Sequence, residues 1–364
     1  MSPDERAEAA RRPSGSSFAA AGSELPLPRY THLRRLTNAT GLWEHARFLK
    51  PRMEHGFCTD DNARGLLVAS RPTSPSSDLV DLGEIYLRFV LDARTGSGQF
   101  HNRRGADGAW IDEVGGDDSQ GRAWWGLGTV ANSGPTPWMR QAALDAFASS
   151  GSFESPHLRS NAYAALGAAQ VLAIDPGHAA AAGLLGRTSG LIAAAASERI
   201  PWPEARLAYD NARLPEALLA AGKARGDRHL ISVGLRLLEW LVRVETNHDH
   251  FSFTPAGGCA PGARRPAFDQ QPIEAAAMAE ACYLAWTITS QPVWRQRSLD
   301  AAWWFMGRND NAMVLYDPET GGTCDGLTEQ SVNENRGAES TLAGITALQI
   351  AALCSAEDLG TAAF

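Results

Sequence analysis

Twelve stretches of this chain carry apolar residues at the i, i+3, i+4 spacing of an α-helix, and stretches of two kinds alternate. One kind has charged residues along one side, as expected of helices with one face in solvent: residues 30–48, 78–93, 137–149, 179–197, 228–244 and 293–308. The other kind is rich in Ala, Gly and Leu and apolar nearly all round, which is typical of buried helices: residues 61–69, 119–130, 157–172, 210–221, 272–287 and 338–353. The chain is therefore predicted to be all-α.

The alternation predicts an (α/α)6 toroid, in which six outer helices surround an inner ring of six parallel helices. Connections that leave the buried segments are short, such as residues 173–177 and 222–227, whereas those that lead into them are long. Residues 95–118, 245–271 and 309–337 each exceed the ~12 to 15 residues beyond which loops in compact domains are usually functional. We therefore expect long loops and small hairpins, and with them the functional site, on the face where the inner helices begin.

Composition limits the domain organisation and the partners. Residues 1–24 are rich in Ser, Ala, Arg and Glu without periodicity and are predicted to form a disordered tail, followed by a single domain over residues 25–364. The net charge of −8 and the absence of a long Lys/Arg block argue against a nucleic-acid partner or an anionic membrane surface. No window approaches ~18 uninterrupted apolar residues, and the N-terminus lacks the apolar region of a signal peptide. We expect a cytoplasmic protein, and the sequence leaves its oligomeric state open.

The usual signatures of cofactor and metal sites are missing from the sequence. The five cysteines are widely spaced and form no C-x-x-C motif, so the sequence predicts neither disulfides nor a zinc site. No glycine-rich nucleotide-binding motif, no H-E-x-x-H and no G-x-S-x-G occurs. His248 and His250 lie one residue apart in a loop, where histidines are more often solvated than bound to a metal. We expect no cofactor and no metal.

Polar residues open every predicted inner helix, and two of these starts are identical. Asp-Asn-Ala-Arg occurs at residues 61–64 in the first inner helix and at residues 210–213 in the fourth. Since half of the ring separates them, Asp61 and Asp210 are expected to face each other across the central cavity. A single Asp at a helix start is equally well explained as an N-cap. A ring of carboxylates and amides that converges on one cavity is instead what sugar hydroxyl groups require as hydrogen-bond partners.

These helix starts supply the candidate site residues. Inverting glycosidases use two carboxyl groups roughly 6.5 to 9.5 Å apart, a gap that opposite inner helices can span and neighbours on one helix cannot. The catalytic candidates are Asp61 and Asp210 as first choice, then Asp118, Asp269 and Glu339, and the sequence does not assign acid and base. The substrate-binding candidates are Asp60, Asn62, Arg64, Gln120, Arg122, His157, Arg159, Asn161, Asn211, Arg213, Gln270, Gln271, Glu274 and Asn335, with Trp110, Trp124 and Trp202 as apolar platforms for a sugar ring.

The arginines and the bulky inner-helix residues have expected roles of their own. Each arginine candidate has a carboxylate within one helical turn or on a neighbouring helix. We therefore expect the arginines to orient these carboxylates rather than bind an anionic substrate. At the other end of the inner helices, the bulky Trp125, Leu166, Leu218 and Leu348 are expected to plug the floor of the ring by core packing. The cavity should then be a pocket closed at one end.

Four of these motifs carry a resemblance to known proteins. The chain resembles the (α/α)6-toroid glycosidases at Thr-Asp-Asp-Asn-Ala-Arg (59–64), Asp-Ser-Gln-Gly-Arg-Ala-Trp (118–124), Tyr-Asp-Asn-Ala-Arg-Leu-Pro-Glu (209–216) and Asn-Arg-Gly-Ala-Glu-Ser (335–340). It is similar in particular to a group of bacterial proteins loosely labelled glycosyltransferases and found near mannoside phosphorylases. The resemblance covers about residues 30–355 and implies a toroid fold and a carbohydrate substrate, with mannose ahead of glucose. It assigns no residue roles.

The predicted function is an inverting, exo-acting glycoside hydrolase that cleaves a short oligosaccharide with paired carboxyl groups in the toroid cavity. Two alternatives stay open, a sugar epimerase or isomerase of the same fold that uses His157, and a glycan-binding module without catalysis. The linkage, the stereochemical outcome and the choice between hydrolysis, phosphorolysis and transglycosylation also stay open.

Overall fold

The computed structural model describes residues 24–196 and 202–358, so the predicted tail over residues 1–24 lies outside the described residues except for Glu24. These ranges contain twelve α-helices: α1 Thr31–Arg35, α2 Thr59–Ser70, α3 Ser77–Asp92, α4 Asp117–Ser133, α5 Pro137–Phe147, α6 Leu158–Ile174, α7 Ala179–Ala195, α8 Arg213–Arg225, α9 Arg228–Val244, α10 Pro272–Thr289, α11 Pro292–Trp304 and α12 Ala338–Asp358. None of the described helices is long and apolar enough to cross a bilayer.

The helices form two concentric rings. The even-numbered helices α2 to α12 each pack against the next, and α12 packs against α2, which closes the inner ring. The odd-numbered helices lie outside: α1 packs against α12, and each of the others packs against the inner helix or helices beside it in the chain. The predicted (α/α)6 toroid is confirmed, because the segments that are apolar all round are the ones that form the inner ring.

The first outer helix is much shorter than predicted. The helical pattern over residues 30–48 holds only for α1, and the chain turns at Asn38, whose side-chain oxygen accepts the backbone N–H groups of Thr40 and Gly41. This local bond offers the backbone an alternative to the helix, which the apolar spacing does not reveal. After the turn the chain forms a hairpin instead of a helix.

Short antiparallel pairs of strands occupy the segments that lead into the inner helices. The strands are β1 Ala46–Arg47 with β2 Lys50–Pro51, β3 Phe57–Cys58 with β4 Arg103–Arg104, β5 Thr246–Asn247 with β6 His250–Phe251, and β7 Gly326–Leu327 with β8 Val332–Asn333. The β3–β4 pair ties the loop before α2 to the loop before α4. The expected small hairpins therefore lie on the face where the inner helices begin.

Inner helices α4 and α6 approach so closely that their contact accepts only glycine. A Cβ atom on Gly128 would lie 2.2 Å from the carbonyl oxygen of Gly167, and one on Gly167 would lie 2.2 Å from that of Trp124. Real Cβ atoms do not come so near a backbone oxygen, so a side chain at either position would push the two helices apart.

We predict that Gly128→Ala lowers the free energy of unfolding by about 1 to 3 kcal/mol, because the added methyl group overpacks the α4–α6 contact. Gly190→Ala in α7 is the matched control, since nothing lies within 4 Å of a Cβ atom there and alanine favours the helix. Denaturant unfolding of both variants measures the difference. Equal stabilities for the two variants would contradict the close approach of α4 and α6.

Candidate active site

Amide side chains at the starts of the inner helices hold the loops rather than face an open cavity. Asn62 donates to the carbonyl of Cys58 at 2.8 Å and accepts the N–H of Leu42 at 3.1 Å. Gln120 bonds both backbone groups of Phe100, accepting at 2.8 Å and donating at 2.6 Å. Both amides therefore satisfy backbone groups that a buried loop would otherwise leave without partners.

The same correction applies to most other amides that the sequence assigned to substrate. Asn161 donates to the carbonyl of Ser155, and Gln270 accepts the backbone N–H of Phe253 and the indole N–H of Trp304. Asn211 accepts hydrogen bonds from the Arg159 guanidinium and the Ala208 N–H, and Asn335 accepts one from the Phe48 N–H. Gln271 is half-buried. Residue type alone does not show whether an amide faces a ligand or its own loop.

Of the three tryptophans expected to be sugar platforms, two are buried and one is half-buried. Trp124 is buried edge-on against Phe100 and Phe147, and Trp202 is buried against Trp240. Trp110 stacks on His101 with ring centroids 5.1 Å apart, and the Arg104 guanidinium lies 5.0 Å from its centroid. The platform assignment is wrong for Trp124 and Trp202 because neither ring is exposed, and Trp110 belongs to the packing of the β3–β4 region.

Arg64, in the first turns of α2, joins three carboxyl groups at the entrance of the ring. Its guanidinium lies 2.7 Å from Asp61 Oδ1, 3.3 Å from Asp60 Oδ1 and 2.9 Å from Glu339 Oε2. Asp60 and Asp61 come from the start of α2 and Glu339 from the start of α12, so the closure of the ring brings them together. The structure places three of the sequence candidates on one arginine.

Arg122 of α4 extends this cluster towards the far side of the ring. Its Nε lies 2.8 Å from Asp60 Oδ1, and its Nη2 lies 3.1 Å from Asp210 Oδ2 and donates to the Tyr163 hydroxyl at 2.6 Å. The guanidinium packs over the Tyr163 ring at 3.9 Å from the centroid. One buried arginine therefore connects the start of α2 with the turn before α8.

Asp210 is closed off from any substrate. It is fully buried, accepts the Tyr163 hydroxyl at 2.8 Å on Oδ2, and lies 3.1 Å from Arg213 Nε through Oδ1. Burial alone would raise the pKa of Asp210, but Arg213 and Arg122 outweigh it and hold that pKa below its ordinary value. The arrangement does not support an acid and base pair made of Asp61 and Asp210, and it gives Asp210 a positioning role.

Glu274 and Asp269 also differ from their expected roles. Glu274 is buried and accepts the backbone N–H groups of Asp210 and Asn211, which fixes the turn before α8. Asp269 is exposed at the end of a loop, and no described side chain bonds its carboxylate. Neither carboxyl group belongs to the Arg64 cluster.

Ion pairs continue along the axis of the ring where an apolar plug was expected. Arg213 lies 2.6 Å from Glu216 and 2.7 Å from Glu280, and Glu280 also pairs with Arg71 at the end of α2. Trp125, Leu166, Leu218 and Leu348 are buried as expected, and the Arg213 guanidinium packs over the Trp125 ring at 4.5 Å. The sequence did not identify Arg71 and Glu280 as members of this network. Their only signal in the sequence is a charged residue within or directly after an otherwise apolar helix.

This axial network holds more carboxyl groups than guanidinium groups. Six carboxyl groups meet four guanidinium groups: Asp60, Asp61, Asp210, Glu216, Glu280 and Glu339 against Arg64, Arg71, Arg122 and Arg213. Burial raises the pKa of Asp61 to about 7 and that of Glu216 to about 7. The network thus has two more carboxyl groups than guanidinium groups, and two of its carboxyl groups, Asp61 and Glu216, hold their protons up to near-neutral pH.

Asp61 and Asp60 are neighbours with contrasting surroundings. Asp61 is buried, and its Oδ2 accepts only the thiol of Cys58, at 3.2 Å. The Asp60 side chain is 25% exposed, and both of its arginine contacts use Oδ1. No described residue bonds Asp60 Oδ2, which leaves this oxygen open to a ligand. A group that keeps its proton therefore lies beside an ion-paired carboxylate with a free oxygen.

Tyr209 is a site residue that sequence reasoning missed. Its hydroxyl donates to Asp118 Oδ2, while Asp118 Oδ1 accepts the Ser160 hydroxyl at 2.5 Å. Arg159 donates to the Tyr209 carbonyl and pairs with Glu204 at 2.7 Å. The available signal was its position directly before the Asp-Asn-Ala-Arg repeat.

The histidines of the described ranges lie outside the axial network. The His157 side chain is 71% exposed on the rim, 3.9 Å from Asp117, and all nine histidines lie in the described ranges without bonding a member of the axial network. Within those ranges no group of three or more His, Cys, Asp or Glu side chains is arranged to hold a metal ion. All five cysteines are buried, and none of them forms a disulfide.

The chain is similar in structure to several carbohydrate-active enzymes. A sugar epimerase from a ruminal bacterium has a TM-score of 0.69 at 9% identity over 89% of this chain and 95% of its own. Cellobiose 2-epimerase from Bacillus thermoamylovorans has a TM-score of 0.69 at 11% identity over 89% and 96%, and a GH76 α-mannanase from Bacteroides thetaiotaomicron has 0.62 at 13% over 90% and 93%. No protein-family model and no curated sequence matches the chain. The likeness shows the toroid fold and gives no support to the glycosyltransferase label.

We predict that the free energy of unfolding falls as the pH rises from about 5 to 8, because the folded state holds protons on Asp61 and Glu216 that the unfolded chain releases near pH 4. A double variant, Asp61→Asn with Glu216→Gln, cannot ionise at these positions and should show a shallower decline. Asp269→Asn is the exposed control and should follow the wild type. Denaturant titrations across this pH range measure the slopes, and equal slopes for all three proteins would contradict the assignment.

Proposed function

We propose that the protein is a glycoside hydrolase in which Asp60 and Asp61 form the catalytic pair. The observation that carries the proposal is the contrast between these two neighbours: burial raises the pKa of Asp61 to about 7, and the Asp60 carboxylate contacts two arginines through Oδ1 and leaves Oδ2 free. A carboxyl group that holds its proton beside an ion-paired carboxylate supplies an acid and a nucleophile or base at the same pH. Arg64 binds both and fixes their relative position.

The close placement of the pair favours retention of configuration rather than the inversion expected from the sequence. The inverting hypothesis required carboxyl groups on opposite inner helices, and Asp210 on the far side is buried and fully bonded. Neighbours on one helix that share an arginine suit the shorter separation, roughly 5 to 5.5 Å, of retaining enzymes. The proposed stereochemistry therefore rests on the contact of both carboxyl groups with Arg64.

Each step of the proposed reaction balances without a cofactor. Asp61 gives its proton to the glycosidic oxygen while Asp60 Oδ2 attacks the anomeric carbon, so the leaving sugar departs as an alcohol and a glycosyl ester forms on Asp60. Asp61, now ionised, takes a proton from water, which attacks the anomeric carbon and releases Asp60. Arg64 and Arg122 stabilise the Asp60 carboxylate before the attack and after the release.

The substrate that we propose is a neutral oligosaccharide cleaved from one end. The arginines at the entrance are all engaged by carboxylates, which supports the expectation that they orient protein groups rather than bind an anionic sugar. The hairpins and loops before α2, α4, α10 and α12 surround the starts of the inner helices and suit a pocket better than an open cleft. Mannose remains the first sugar to test and glucose the second.

The structural neighbours include sugar epimerases as well as a mannanase, so the epimerase alternative stays open, but the geometry does not support His157 as its base. A proton-transfer base for the carbon next to an anomeric centre would be expected among the central side chains, and His157 lies on the rim instead. The product analysis below distinguishes the two reactions.

We predict that Asp60→Asn and Asp61→Asn each lower kcat/KM by at least about 1,000-fold on a mannose- or glucose-containing oligosaccharide, because each removes one half of the pair. Asp269→Asn is the matched control and should stay within about twofold, since that carboxylate is exposed and outside the cluster. Circular dichroism confirms that the variants fold.

Proton NMR of the reaction mixture identifies both the bond broken and the first anomer released. Retention of the substrate's anomeric configuration supports the proposed pair, and inversion would require a second carboxyl group farther away. A free sugar converted to its epimer, with every glycosidic bond intact, would replace hydrolysis by epimerisation.

A further inference from the structure

Tyr209 presents an exposed aromatic ring next to the axial network. The residue lies directly before Asp210 in the turn that leads into α8, and it is 39% exposed although its neighbour is fully buried. The backbone of this turn is fixed, since Glu274 accepts the N–H groups of Asp210 and Asn211. The ring is therefore carried by a rigid segment at the entrance.

The Tyr209 ring is held in one orientation. The Arg159 guanidinium lies 4.9 Å from its centroid and covers one side, and Arg159 also donates to the Tyr209 carbonyl. The hydroxyl donates to Asp118, and burial together with this bond raises the pKa of the hydroxyl, which keeps its proton. Because both the ring and its hydroxyl are anchored, the exposed face keeps its direction without a ligand.

We propose that the exposed face of Tyr209 is the platform on which a pyranose ring packs in the subsite beside Asp60. The apolar C–H face of a sugar packs on an aromatic ring. Of the tryptophans that the sequence offered for this purpose, Trp124 and Trp202 are buried, and Trp110 is half-buried and packs on His101. Arg122 connects the two positions, because it contacts both Asp60 and Asp210, the residue after Tyr209. The inference rests on the proposed action on sugars and names the residue that selects a neutral ring.

Three variants distinguish the contribution of the Tyr209 ring to substrate binding from that of its hydroxyl and from the effect of removing any exposed aromatic side chain. Tyr209→Ala removes the platform, whereas Tyr209→Phe keeps the ring and loses only the bond to Asp118. Trp138→Ala is the matched control, because Trp138 is 38% exposed, lies 5.0 Å from the Arg88 guanidinium and donates to Glu84, but belongs to outer helix α5. The two aromatic residues thus have similar partners and exposure and differ in location.

We predict that Tyr209→Ala raises KM for the oligosaccharide at least about tenfold with kcat within about fivefold, since the lost contact binds the substrate rather than the reacting atoms. Tyr209→Phe should stay within about threefold of wild type in KM, and Trp138→Ala should not change it. Upfield shifts of the sugar C–H protons on binding, seen by NMR with wild type and Tyr209→Phe and absent with Tyr209→Ala, report the stacking directly.

The outcomes distinguish failure of this inference from failure of the proposed hydrolysis. If the wild type binds oligosaccharide with Tyr209-dependent upfield shifts but breaks no bond, hydrolysis fails and the platform stands. If the wild type hydrolyses the substrate and Tyr209→Ala behaves like Trp138→Ala, the platform is overturned and hydrolysis stands. If no mannose or glucose oligosaccharide binds to the wild type, both are overturned.

Discussion

The polar end of the toroid depends on the buried guanidinium of Arg122. Moving a charge out of water costs several kcal/mol per ion even after relaxation, so a buried arginine persists only with carboxylates in good geometry around it. Arg122 meets this condition with Asp60 on one side and Asp210 on the other, and the Tyr163 ring covers it. The positions of α2, α4, α6 and α8 relative to one another are thereby linked to a single charged group.

The excess of carboxyl groups over arginines gives this structural network its chemistry. In a network with equal numbers each carboxylate could pair with its own arginine, whereas here six carboxyl groups share four guanidinium groups, and two of the buried ones hold protons up to near-neutral pH. One of them, Glu216, lies deep on the axis next to Arg213, and the other, Asp61, lies at the entrance next to Asp60. The same electrostatic imbalance that makes the core pH-sensitive therefore places a buried carboxyl group that holds a proton beside Asp60, whose Oδ2 is open to a ligand.

The sequence predicted the ring of inner helices and its polar end, but not which side chains bond each other there. The inner helices stand out because helices that are buried on all sides leave an unmistakable apolar composition, and this held for all six. Helix α1 was predicted to be too long, because the hydrogen bonds of the Asn38 side chain that turn the chain after it do not alter the spacing of apolar residues. The repeat at residues 61–64 and 210–213 marks two parts of one network. Both aspartates are buried, but Asp210 contacts two arginines and Asp61 one, so the pKa of Asp210 is lowered and that of Asp61 is raised.

The functional assignment of amides and aromatics failed for a different physical reason. Asn62, Gln120 and Gln270 carry the right groups to bind a sugar, but the loops they belong to contain backbone groups that need the same hydrogen bonds. Tryptophan is favoured equally by cores and by sugar sites, so its presence near a loop does not decide between them. Only the three-dimensional arrangement shows that the exposed aromatic ring next to the axial network belongs to Tyr209.

The most direct test of the account is the protonation state of Asp61 in the intact protein. Carbon-13 NMR of side-chain carboxyl groups in aspartate-labelled protein, with the Asp61 signal assigned by its loss in Asp61→Asn, follows this group across pH 5 to 9. We predict a midpoint near pH 7, because burial and the neighbouring carboxylates of Asp60 and Glu339 raise the pKa of Asp61. An Asp61 signal that is already that of the ionised form at pH 5 would contradict the account, because neither the charge balance of the network nor the proposed acid would then hold.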